Sequence, residues 1–167
     1  DGVFHVNWLT GDDSLADGSE ENPFLTIQAA IDAVPASNWV IQVGEGLYGG
    51  FHIAPGLDGL SVVGAGQTQT GLQVPSGNGV TVVQIEAHDV TVSDLTIEGG
   101  SIGLHAHGSN TDTPWQLADG LQGPTLTRLT VTGQRGTPGP PATNEDGGDA
   151  IGVLLDVILD AFISGIT

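Results

Sequence analysis

The sequence has no cysteine, no methionine and no lysine, and its only fixed cations are Arg128 and Arg135. Without cysteine there is neither a disulfide framework nor thiol redox chemistry. Twenty acidic residues give a net charge of -18, which excludes nucleic acid as a partner, because phosphate contacts are made by Lys and Arg. The same field repels anionic membranes and polyuronate chains unless divalent cations bridge them. No long apolar run is present, so no membrane insertion is expected. The absence of an initiating methionine makes Asp1 read as a processed end or an excised domain. With the acidity, this points to an extracellular or cell-surface setting.

What the chain does have is glycine, short apolar alternation and one helical stripe. Asn22 is placed to cap a helix opening on Pro23, since proline has no N–H to lose there and its φ is already helical. Phe24, Ile27, Ala30, Ile31 and Val34 then recur at spacings of three and four, and Pro35 stops the run, which predicts a helix over 23–34. So short a helix is unstable alone and must lie on an apolar surface, either as an ordinary surface helix or as a plug over the end of a coil.

Beyond the helix the period changes to two. Val40, Ile41 and Val43 begin it, and LSVVGAG, VTVSDLTIEGG, TLTRLTVTGQ and VILDAFISGIT can be laid over one another. In that alignment Ile158 falls on Val92, Asp160 on Asp94 and Gly165 on Gly99. The repeat of about thirty to thirty-four residues exceeds a minimal β-helix coil, which implies loops inserted on the turns. Val90, Val92, Leu95 and Ile97 are the clearest inward set. An antiparallel sandwich is the other all-β option, and Asn78-Gly79 is a hairpin signal in its favour.

The run from Asp12 to Tyr48 resembles the N-terminal cap and first coils of right-handed parallel β-helix proteins of the pectate-lyase-like superfamily. There an acidic Asp-Gly-Ser loop leads through Pro-Phe-x-Thr-Ile-Gln into a capping helix, as in DGSEENPFLTIQ here. VGEGLY is similar to the family's Val-x-Pro-Gly-x-Tyr run, with Gly44 and Glu45 standing where a proline is common. The resemblance implies an all-β fold: a short right-handed single-stranded parallel β-helix with an N-terminal capping α-helix. It divides one domain over 1–167 into a strand and acidic loop (1–22), the helix (23–34) and coils (39–167) with insertions at about 105–124 and 134–149.

The resemblance also implies chemistry on acidic polysaccharides, by calcium-bound acids with an Arg or Lys base or by paired Asp on adjacent coils. Only Arg128 sits on an expected coil strand, and it falls between Asp94 and Asp160 as the middle of a charge stack. Structural pairing is the reading that follows, and no catalytic residue is carried over. The two insertions are the candidate recognition loops. Trp115 offers an apolar face for a sugar ring, or else pins its loop. His105 and His107 place two imidazoles on one side of a strand, as a polysaccharide contact or two ligands of a transition metal; since no third ligand is specified, an ordinary surface pair is the reading that follows over metal. Asp12, Asp13, Asp17, Glu20 and Glu21 gather oxygen ligands of the type calcium takes, though not at EF-hand spacing; a solvated acidic loop is the alternative, and no cofactor is required.

The chain stops within an apparent coil strand, at Thr167. An uncapped coil exposes backbone and core, so either more chain follows or another molecule stacks there. Self-association is therefore expected through the open end, at Phe162 and Ile163, or through Val3, Phe4, Val6 and Trp8 of the N-terminal strand, which otherwise pairs within its own sheet. The expectation is a non-catalytic structural or adhesive module. The alternatives are the N-terminal part of a secreted polysaccharide lyase, esterase or hydrolase, or a carbohydrate-binding module.

Overall fold

Alternating apolar and polar residues, interrupted by residues that tolerate left-handed backbone, build a coil that returns on itself three strands per turn. The computed structural model describes residues 2–75, 80–107, 121–122, 124–133, 151–156, 158–159 and 162–167. All its strand pairings are parallel, and the architecture is a right-handed parallel β-helix. The sandwich alternative is thereby set aside; Asn78-Gly79 lies outside the described residues.

Face 1 stacks β1 (Val3–Val6), β2 (Val40–Val43), β5 (Ser61–Gly64), the first half of β8 (Thr91–Gly99), the first half of β11 (Thr125–Thr132) and β14 (Phe162–Ile166). Face 2 stacks β3 (Gly46–Tyr48), β6 (Thr70–Val74) and the second halves of β8 and β11. Face 3 stacks β4 (Phe51–Ile53), β7 (Thr81–Ile85), β9 (Ile102–His107) and β12 (Ile151–Asp156). A separate pairing joins β10 (Leu121–Gln122) to β13 (Ile158–Leu159). The core is one stack of fully buried aliphatics, among them Ile41, Val62, Val92 and Leu126 on face 1 and Ile53, Ile85 and Ala106 on face 3. The inward set Val90, Val92, Leu95 and Ile97 is completely buried. Each such aliphatic side chain contributes roughly 1.5–3 kcal/mol on burial.

Two columns of left-handed residues bound face 1. Asn38, Gly59 and Asp89 (φ 61°, 71° and 54°) turn the chain into it, joined by Asn38 N–H to Asp58 O and Gly59 N–H to His88 O. Asp94, Arg128 and Gly165 (φ 61°, 49° and 62°) stand at matching levels and turn it out. This fixes the last repeat differently from its sequence alignment: Ile163, not Ile158, reaches the level of Val92 through Leu126, and Gly165 stacks on Arg128 rather than on Gly99. The physical reason is the corner, since glycine takes positive φ without strain.

The helix is also shorter than its stripe suggests. It is α1 (Ile27–Asp32), and Thr26, not Asn22, is its N-cap, accepting from Ala29 N–H at 3.2 Å. Phe24 is instead held in a parallel bridge to Val6, which keeps Pro23 and Phe24 extended. Asp13 fixes the start by accepting from Leu25 N–H (2.7 Å), Thr26 N–H (3.0 Å) and the Thr26 hydroxyl (2.8 Å). Ile27, Ala30 and Ile31 are buried, and α1 packs on β1, β2 and β4, so it seals the N-terminal end of the coil.

Candidate functional site on face 3

Alternation along face 3 turns Phe51, Ile53, Val83, Ile85, Leu104 and Ala106 into the core and leaves His52, Gln84, His105 and His107 on the outer side. Register then decides which outward residues meet. His52, Gln84 and His105 align across β4, β7 and β9, and Ile85 pairs with Ala106 to bring Glu86 and His107 to the next level. The result is a polar band of imidazole, amide and carboxylate over three successive coils.

Glu86 is its centre. One carboxylate oxygen lies 3.1 Å from His107 Nε2, and the other 3.4 Å from His52 Nε2. Gln84 donates its amide to Glu86 Oε1 at 2.6 Å and also lies 3.2 Å from His107 Nε2. The His105 and His107 rings are 4.5 Å apart. Partial burial raises the Glu86 pKa, but the Gln84 hydrogen bond and the two imidazoles outweigh it and hold the carboxyl below its ordinary value. Gln28 of α1 grips the His52 backbone from the other side, accepting from its N–H at 2.8 Å and donating to its carbonyl at 3.2 Å. A shallow cavity of about 330 Å³ opens beside His52, between Gln28, Thr81 and Gln84, with Val74 and Val82 as apolar walls.

The sequence singles out His105 and His107 but not their partners. His52, Gln84 and Glu86 lie far away in the chain, and only the register of β4, β7 and β9 joins them. The usable signal was their outward phase in each strand, which has no meaning until coils are stacked. Trp115 lies outside the described residues, as do Asp160 and most of both insertions. In chain order those insertions follow β9 and precede β12, both strands of face 3.

The remaining sequence candidates are placed as follows. Asp12 accepts from Ser14 N–H at 2.8 Å, and Asp17 from Ser19 N–H at 2.9 Å. The Ser19 hydroxyl and N–H lower the Asp17 pKa. Asp13 binds the helix start, while Glu20 and Glu21 are exposed. The five acids are thus not brought together, and among the described residues no three His, Asp or Glu side chains are arranged to hold a metal ion. Phe4 packs on Phe24 and Trp39, with ring centroids 5.3 and 4.5 Å apart. Val6 is buried, Val3 and Trp8 are half exposed, and Ile163 lies at the surface of β14. Phe162 pairs its backbone with Thr125.

Arg128 and Asp94 pair at the second corner, but the third member expected there, Asp160, does not follow them in the column: the level next to Arg128 is taken by Gly165. Both guanidinium Nε and Nη2 donate to the carboxylate, the latter at 2.6 Å. The Arg128 hydrogen bond lowers the Asp94 pKa against the opposing effect of burial. The stabilisation is therefore present above the usual carboxylate range and fades as pH falls through the lowered value.

No protein family and no curated protein matches the chain in sequence. Among solved structures, that of a pectin methylesterase mutant in complex with hexasaccharide IV has the same fold, at a TM-score of 0.61 and 13% identity. The similarity covers 98% of this chain and 48% of that one, so the chain spans about half the length of its structural relative.

Proposed function

We propose that this parallel β-helix, a member of the pectate-lyase-like superfamily, is a non-catalytic extracellular module that adheres to polysaccharide along face 3. The observation that carries this reading is the continuous His52–Gln84–Glu86–His107 band, presented on three adjacent coils beside an open cavity. Hydroxyl-rich chains are recognised by such mixed donors and acceptors on a rigid sheet. A further fact speaks against a lyase reaction. Arg128, the cation nearest a lyase role by sequence, is engaged bidentately by Asp94 on the other side of the coil.

Affinity electrophoresis in gels containing pectin, xylan or β-glucan tests the reading. Retardation by at least one polysaccharide is expected, with His52→Ala and Glu86→Gln each weakening it about tenfold, the scale of one buried polar contact in a binding site. Retention unchanged in both variants would overturn it. The structural likeness to a pectin methylesterase supports a second reading, the N-terminal part of a polysaccharide-active enzyme. Methanol release from methylesterified pectin by the wild-type chain, lost in Glu86→Gln, would favour that reading instead.

A further inference from the structure

Face 2 carries a second feature that the face 3 reading does not use. Leu47, Gly71 and Thr96 occupy one outward row on β3, β6 and β8, in register across three coils. Leu47 is 66% exposed, and Gly71 has no side chain, so the row is interrupted at its centre. Strands lie about 4.8 Å apart, so the Leu47 and Thr96 backbones stand roughly 9.6 Å apart, and the flexible Leu47 side chain leans over Gly71 between them. The trough encloses about 370 Å³, within the range of small-ligand sites.

Its rim is held in place. Thr96 donates its hydroxyl to the Gln67 carbonyl at 2.6 Å, and the Gln67 amide reaches over to Thr130 Oγ1 at 3.1 Å. The Gln67–Gln69 segment is thereby fixed beside the trough rather than left free. Gln69 and Glu98 complete the lining with an exposed amide and an exposed carboxylate.

That lining selects a ligand class. It holds one carboxylate and no cation, which disfavours anions. Its apolar part is essentially Leu47, too little for a large hydrophobic ligand and suited to the C–H face of one sugar ring. Amides and hydroxyls supply both donors and acceptors, as a polyol needs. We propose that the Leu47–Gly71–Thr96 trough is a binding subsite for a neutral oligosaccharide, separate from face 3 and independent of whether the face 3 reading holds.

Gly71→Val is the decisive variant. Gly71 is not in the left-handed region, and a Cβ there would meet the flexible Leu47 Cδ2 at 2.8 Å and, at ordinary contact distance, the Gly46 carbonyl at 3.9 Å, so the substitution displaces Leu47 and fills the trough without entering the core. Calorimetric titration with cellopentaose, laminaripentaose and xylopentaose, and with a pentagalacturonate as the anionic control, gives the readout. At least one neutral pentaose is expected to bind, with Gly71→Val and Leu47→Ala each reducing affinity tenfold or more. Unaltered thermal melting of Gly71→Val establishes that the loss is local. The proposal is overturned if no neutral pentaose binds, if only the pentagalacturonate binds, or if Gly71→Val binds as the wild type does. Loss in His52→Ala alone would also overturn it, by assigning the neutral ligand to face 3.

Discussion

Arg128 is the residue at which charge and backbone conformation meet. Its φ of 49° is costly for a side-chain-bearing residue, by about 1–2 kcal/mol, while its ion pair with Asp94 is made by a guanidinium open to solvent and is largely screened. Arg128→Gly removes both terms and is expected to leave stability within about 1 kcal/mol of wild type. Arg128→Val keeps the strain, loses the pair and adds a β-branched side chain that resists this conformation, so a loss of about 2 kcal/mol is expected. Urea unfolding of the two variants side by side checks this, and equal losses would contradict it. The Asp94–Arg128 pairing was legible in the sequence because both residues follow the same strand pattern. Glu86 was not, because nothing within its own strand distinguishes an outward carboxylate bound by two imidazoles from one facing water.

At the scale of the element, the capping helix shows how two good signals compete. Asn22-Pro23 reads well as a helix start, and the apolar stripe from Phe24 is real, yet the Phe24 bridge to Val6 and the Asp13 contacts shift the start to Thr26. Thr26→Ala is expected to cost about 1 kcal/mol, as loss of an N-cap does. Asn22→Ala, a surface change outside the helix, is expected to stay within about 0.5 kcal/mol. Thermal unfolding distinguishes them. The strand elements were more legible than the helix boundary, because inward Val92, Leu95 and Ile97 alternate strongly around their corner. The last repeat was misregistered because its Asp160 invited alignment on Asp94, whereas the fold aligns the glycine corner.

At the scale of the whole molecule, the N-terminal end is closed twice. α1 covers the core, and the acidic loop covers the edge of β1, where His5 N–H binds Gly18 O and Asn7 N–H binds Phe24 O, both at 2.9 Å. Strand addition through β1 would have to displace that loop. Gly18 has φ of 80° and no room for a Cβ against the Phe4 ring, so Gly18→Val is expected to lift the loop and free the edge. Light scattering after size-exclusion chromatography is then expected to show concentration-dependent association greater than that of the wild type. Equal behaviour of both would argue that the loop does not guard the edge.

The paired corner columns have one more consequence. From Asn38 to Val43, from Gly59 to Gly64 and from Asp89 to Asp94 the chain crosses face 1 in the same number of steps, although the intervals between these crossings lengthen along the chain. Face 1 is therefore the hinge-side binding of a book whose pages differ in width: it keeps every coil in step while the opposite margins are free to vary. New sequence grafted after β9 or before β12 changes what the molecule touches without changing how it is bound together.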